Sequence, residues 1–276
     1  MSVRIAVKMA KKIHRTAVVS PQAQIGEDVV IGSYCVVGAD VTLGAGTVLG
    51  SHVVLEGRTT LGRRCEVFHG ACLGGKPQDK KFKNREASVV IGDENVIREY
   101  VTVHVSTVPG KATTIGHRNF FMVGAHVGHD CRIGNDVVIA NNCALGGHVV
   151  VEDHAVLGGL SGVHQFCRVG KLAMVGGMSK VVMDVAPYSV CDGHPAKFCG
   201  VNSVGLKRAG YTSTQTSEIK RALKTLLASG GKLSSAIQEL KGRTQGNPDL
   251  EALLLFCEQS ERGVCRGVMK GRDDVA

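Results

Sequence analysis

The chain has no tryptophan, and only seven phenylalanines and four tyrosines among 276 residues. So few aromatics cannot build the stacking platform that holds single-stranded nucleic acid. Its basic residues are also dispersed rather than gathered into a patch, which argues against any nucleic-acid partner. The net charge of +9 therefore points to a different acidic partner: a phosphorylated metabolite, an anionic membrane or an acidic protein. No run of about 18 apolar residues occurs, so nothing reads as a transmembrane segment. Met1 to Lys12 lack the apolar stretch of a secretory signal. Ten cysteines are present, yet none stands in a CxxC pair, which removes the commonest zinc and redox spacings. Reduced thiols in a cytoplasmic protein are the expectation, with Cys35, Cys65, Cys131, Cys143 and Cys167 at small, buried positions.

What the chain does have is glycine, 36 residues of it, and a repeat. Reading every sixth residue from Ile13 to Val181 gives 26 apolar residues in 29 positions, the exceptions being Asp79, Arg85 and Pro109. With 43% of the chain hydrophobic, chance does not produce that run. Glycine often follows the aliphatic residue, as in Ile25-Gly26, Ile31-Gly32, Val37-Gly38, Leu43-Gly44 and Leu49-Gly50. A period of six is neither that of a helix nor that of a simple strand. It suits a short strand and a corner, with the aliphatic side chain inside a prism and the glycine permitting the turn. Three strands make a coil of 18 residues, and coils stack in parallel about 4.8 Å apart.

The fold class expected is mainly β, a parallel β-helix over residues 1–190, followed by a connector and a C-terminal α-helical domain over 191–276. Two loops should interrupt the prism, at 76–90 (beginning KPQDKKFKNREAS) and at 105–114 (VSTVPGKATT). Loops on a rigid scaffold are favoured places for binding residues. Thr216 or Ser217, Ser234 or Ser235, and Pro248-Asp249 read as helix starts. The last dozen residues read as a frayed polar tail.

A coil of 18 residues predicts columns. His129, Gly147 and Gln165 share one; Asp130, His148 and Phe166 share the next; His164 lies over Gly146 and Gly128. His126 precedes His129 across a corner, so six polar side chains gather within about three coils. An imidazole beside a carboxylate suits a general base, and glycine lets a backbone N–H approach an oxyanion. No GxSxG elbow is present. Direct attack by a substrate hydroxyl or amine is the simpler chemistry. The remaining histidines (His14, His52, His69, His104, His117, His154 and His194) read as structural. A zinc site is the alternative, since three histidines on one β-helix can bind zinc, as in γ-class carbonic anhydrases. The intervening loop and long C-terminal segment argue against it.

The hexapeptide pattern resembles the left-handed parallel β-helix family. More specifically, FMVGAHVGHDC at 121–131, ANNCALGGH at 140–148, GVHQF at 162–166, GVN at 200–202 and GLKR at 205–208 resemble the acyl-carrier-protein-dependent UDP-N-acetylglucosamine O-acyltransferases. KPQDKK at 76–81 and Ile97-Arg98-Glu99 match as well. The resemblance implies a homotrimer in the cytoplasm with no cofactor and no metal. It implies transfer of an (R)-3-hydroxyacyl group from acyl carrier protein to UDP-N-acetylglucosamine, the first step of lipid A biosynthesis. It makes His129 the base, Asp130 its orienting partner and the Gly147 N–H the oxyanion donor. His126, His148, His164, Gln165, Asp79 and Lys81 would hold the sugar nucleotide. Asn202 and Arg208 would help seat acyl chain and nucleotide, and Gly177 would leave room for a long acyl chain. Ala209 and Val204 depart from the family pattern at a second arginine and at an acidic uracil contact. A related N-acyltransferase of the same pathway is the other alternative. Its usual N-terminal uridine-binding domain does not fit the dozen residues that precede the first repeat.

Overall fold

The computed structural model describes residues 12–267 apart from 84, 85, 229, 243 and 245. Most of the expected polar tail lies outside the described residues. The chain forms two compact units, Met1–Asp130 and Cys131–Ala276.

Each hexapeptide contributes a two-residue strand such as Val30–Ile31 or Thr42–Leu43. Successive side chains on a strand point to opposite faces, so the first residue faces outward and the second inward. Ile31, Leu43 and Leu49 are accordingly buried. A second inward position lies two residues earlier, at Val29, Cys35, Val41, Thr47, Val53 and Cys65. The five cysteines singled out above all occupy it and are fully buried. Polar residues at this position bond to backbone, as burial requires. The Thr47 hydroxyl donates to the Gly62 carbonyl at 2.8 Å, and the Asn95 amide to those of Gly92 and Gly116, both at 2.9 Å.

The glycine expectation needs correction. The corner is turned not by the residue after the aliphatic one but by the residue three after it. Asp28, Tyr34, Asp130 and His148 sit there with φ of 54°, 58°, 62° and 61°, a left-handed geometry that non-glycine residues adopt at a cost. The glycine beside the aliphatic residue serves coil stacking instead. A Cβ on Gly32 would lie 2.5 Å from the Gly50 carbonyl oxygen, and one on Gly44 2.5 Å from the Gly62 carbonyl carbon.

In the first unit the strands fall into three parallel sheets, each taking every third strand. The pairing step is 18 at first: Gln24 pairs with Thr42 and Val30 with Val48. It then lengthens, for Leu61 pairs with Ile91 and Ile91 with Ile115. Both enlargements leave the same corner of successive coils, once after Cys72–Gly75 and once after Thr102–His104. Both loops are shorter than expected, because Ser88–Ile91 and Ala112–Ile115 are strands. These segments are rich in β-branched residues, pair in register, and bury Val89 and Thr113. The expected columns of constant step 18 therefore fail between Leu61 and Val127, where the step is 24 or 30.

In the second unit the step of 18 holds: Val138 pairs with Val156, Ala144 with Gly162, and Val150 with Arg168. An antiparallel hairpin, Ser189–Gly193 with Ala196–Val201, follows where sequence suggested only a connector. Four α-helices come next. α1 (Ser203–Arg208) is too short for periodicity to reveal. α2 (Ser213–Leu223) starts a turn before the expected Thr216, because Thr212 and Gln215 form a reciprocal capping box. A π-helical turn at Lys224–Ala228 continues it. α3 (Leu233–Lys241) and α4 (Pro248–Glu258) begin near their expected starts, α4 capped by Asn247 with proline in its first turn. Val264 and Cys265 are buried, and the Cys265 N–H donates to the Asp184 carbonyl at 2.8 Å, so this stretch is anchored rather than frayed. None of the described helices is long and apolar enough to cross a membrane.

Candidate active site

The first unit ends on the chemistry-bearing pair. His129 and Asp130 occupy a corner, where backbone curvature turns side chains away from the packed interior. His129 Nδ1 lies 2.7 Å from Asp130 Oδ2, and the two side chains are 17% and 8% exposed. The shorter loop closes over the carboxylate. Ser106 donates its hydroxyl to Oδ1, Thr107 its hydroxyl to Oδ2 at 2.7 Å, and the Thr107 N–H spans both oxygens at 3.2 and 3.1 Å. The Asp130 N–H donates to the Thr113 hydroxyl at 2.8 Å. Burial alone would raise the carboxyl's pKa, but the donations from Ser106, Thr107 and His129 outweigh it and hold the group at about 2. Asp130 is thus a fixed anion at neutral pH.

His126 Nδ1 lies 2.7 Å from the Thr102 hydroxyl. Its ring meets that of His104 edge-on at 4.8 Å between centroids. Burial depresses the pKa of both rings, helped by the neighbouring histidines, and His104 falls to about 4. Both are neutral near pH 7 and offer one donor and one acceptor each. His104, read from sequence as structural, therefore belongs beside His126. On the longer loop the Lys81 N–H donates to Asp79 Oδ1 at 2.9 Å, and the Phe82 N–H to the Asp79 carbonyl at 3.0 Å. One tight turn carries both residues, with Lys81 exposed.

In the second unit His148 lies flat against Phe166, with centroids 4.6 Å apart at 12°. Gly147 is buried and its carbonyl accepts the Phe166 N–H at 3.2 Å. A Cβ on Gly146 would meet the Gln165 nitrogen at 2.9 Å, and within the second unit the step of 18 brings His148 against Phe166 as expected. His164 and Gln165 are exposed, His164 Nδ1 lying 3.1 Å from the Gln165 carbonyl oxygen. Gly177 is exposed beside Met178, which is 72% exposed. Asn202 caps α1: its Oδ1 accepts the Gly205 N–H at 2.9 Å and its Nδ2 donates to the Leu172 carbonyl at 2.8 Å. Both ends of its amide are engaged in positioning α1, at whose end Arg208 stands exposed.

Ser106, Thr107 and Thr102 escaped the sequence reading. Ser106 stands 24 residues before Asp130, and Thr102 stands 24 before His126. The shorter loop lengthens the column step by six residues over the early coils. That added length places Ser106 under Asp130 and Thr102 under His126, with Thr107 following Ser106.

The hexapeptide repeat and the C-terminal segment recur in known proteins. A bacterial transferase hexapeptide model matches residues 22–57 and 112–147, and the second domain of Udp N-acetylglucosamine O-acyltransferase matches residues 184–265. An acyl-(acyl-carrier-protein)–UDP-N-acetylglucosamine O-acyltransferase of Alkalilimnicola ehrlichii is 46% identical, over 92% of this chain and 99% of its own length. The chain belongs to the UDP-N-acetylglucosamine O-acyltransferase family. Its Anaeromyxobacter sp. (strain K) relative is 44% identical over the same shares of both chains. The solved UDP-N-acetylglucosamine acyltransferase of Francisella novicida superposes with a TM-score of 0.90 at 36% identity, covering 96% of this chain and 99% of that one. The fold is accordingly the left-handed parallel β-helix of that family, and the chain is an acyltransferase.

Proposed function

We propose that the chain transfers an (R)-3-hydroxyacyl group from acyl carrier protein to the glucosamine 3-hydroxyl of UDP-N-acetylglucosamine, opening lipid A biosynthesis. The observation that carries this reading is the His129–Asp130 pair. With Nδ1–H committed to a permanent carboxylate, the neutral ring holds its lone pair on Nε2. Nε2 takes the proton of the sugar hydroxyl as its oxygen attacks the thioester carbonyl. The carbonyl oxygen becomes an oxyanion, a role for the Gly147 N–H as donor. The C–S bond then breaks, and the imidazolium returns its proton to the departing thiolate. Asp79, Lys81, His126, His148, His164 and Gln165 serve the sugar nucleotide. Lys81 suits the diphosphate, and the neutral His126 suits sugar hydroxyls. Asn202 acts by presenting α1 and Arg208.

The enzyme works as a cytoplasmic homotrimer. Exposed Val18 and Val36 on one sheet face suit burial against another copy, and ten free thiols suit a reducing compartment. The net charge of +9 suits an acidic carrier protein.

The test is acyl transfer by purified protein with carrier proteins bearing hydroxyacyl chains of several lengths, offered UDP-N-acetylglucosamine and its 3-amino analogue. Transfer to the first confirms the acceptor; transfer to the second alone keeps the mechanism and changes the acceptor. Gly177→Met tests the acyl groove. A Cβ there has only the Gly159 oxygen within 4 Å, at 3.4 Å, so the backbone of the coil leaves room for the first atom of a side chain. Selectivity should move toward shorter chains, and an unchanged profile would remove Gly177 from the groove.

A further inference from the structure

We infer that Ser106 and Thr107, on the shorter loop, are positioning residues that set the basicity and aim of His129 through Asp130. The inference rests on the reading of His129 as general base and deepens it. Among the donors to Asp130 are the Ser106 hydroxyl, the Thr107 hydroxyl, the Thr107 N–H and His129 Nδ1. Three of these come from two consecutive loop residues. That loop is an insertion in the coil, since Thr102 pairs with His126, 24 residues on, where the early coils step by 18. A plain hexapeptide corner would leave the carboxylate without these donors.

The loop residues are built for this task. Ser106 is fully buried and sits in a closed network: its oxygen accepts the Val108 N–H at 3.0 Å, and its own N–H donates to the Ser88 carbonyl at 3.2 Å. A buried hydroxyl so fixed has one proton to give, and the carboxylate receives it. Thr107 grips from the other side with two groups at once. Neither residue needs to touch substrate for this.

The consequence has a sign. The loop donors share the negative charge of Asp130 and so weaken its pull on His129 Nδ1–H. Removing them concentrates that charge on the imidazole, stabilises the imidazolium and raises the pH at which His129 gains its proton. Among the described residues up to Asp130, His126 and His104 also face His129. Burial depresses the proton affinity of both.

Ser106→Ala and Thr107→Val, alone and together, are assayed with UDP-N-acetylglucosamine and hydroxyacyl carrier protein across pH, alongside Thr107→Ser and His129→Ala. Each single loss should lower kcat about tenfold, the scale of one hydrogen bond to a charged group, with KM nearly unchanged. The acid limb of kcat/KM should move to higher pH, and Thr107→Ser should restore both. An unmoved limb with full kcat, even with lowered thermal stability, would show that the loop only supports the fold. Full activity in His129→Ala would overturn the general-base reading itself, which the loop variants alone cannot do.

Discussion

His129→Ala should transfer acyl groups about 10²- to 10⁴-fold more slowly than the unaltered chain, the range that general-base catalysis supplies. The loss should fall on kcat. A sugar hydroxyl is a poor nucleophile until its proton leaves. The neighbouring His126 is held by the Thr102 hydroxyl rather than by a carboxylate, and burial weakens it as a base. The binding groups proposed on the loops and the oxyanion donor proposed at Gly147 would remain, so a residual rate above water is expected. Stability should fall by the worth of one lost bond to a charge, about 1.5–3 kcal/mol, since Asp130 keeps the Ser106 and Thr107 donors after the ring is gone. Steady-state rates and thermal unfolding of the same preparation separate the two effects. A variant that keeps its rate would assign the proton transfer elsewhere; one that fails to fold would say nothing of catalysis, which is why unfolding is measured beside it.

Gly44→Ala should destabilise the protein by about 3 kcal/mol, the upper range for overpacking, although only one methyl group is added. Its Cβ would lie 2.5 Å from the Gly62 carbonyl carbon and 2.6 Å from the Arg63 nitrogen. These are backbone atoms of the next coil, held in register by the Thr42–Thr60 pairing, and cannot swing aside as a side chain would. The coil must tilt or its hydrogen bonds lengthen. For a chain of this size the loss corresponds to a fall of roughly 6–12 °C in Tm. Gly242→Ala is the control. It follows α3 with φ of −76°, and no atom lies within 4 Å of its added Cβ. That change should be neutral or gain a few tenths of a kcal/mol through the unfolded chain, up to about 1 kcal/mol. Equal effects at the two positions would remove close stacking as the reason for glycine at Gly44.

The period of six made the prism legible because each inward aliphatic residue repeats the same physical demand. The reason for its glycines was not legible, since sequence shows that a side chain is absent but not which neighbour excludes it. The His129–Asp130 pair was legible because the two residues are adjacent. Ser106 and Thr107 were hidden by the loop lengths: insertions that are multiples of six keep the aliphatic frame intact while shifting the columns. The approach of His104 to His126 was hidden for the same reason, since it follows the altered step. Thr212 with Gln215 was a readable capping box, passed over for hydroxyls nearer the apolar stripe. α1 was beyond reach, as six residues are too few for a helical period to show.

The narrow inward position that favours cysteine also decides how the protein meets thiol reagents. Of ten sulfhydryls, nine are sealed and only Cys72 reaches the surface. Burial makes several of the sealed ones weak acids as well, with Cys143 and Cys167 pushed up to about 11 and Cys257 to about 12, and a thiol that does not ionise does not react. A native chain should therefore consume at most one equivalent of an alkylating or chromogenic reagent, and a denatured one ten. The sequence carries its own reporter of the folded fraction, readable in a cuvette without introducing a label or changing a residue.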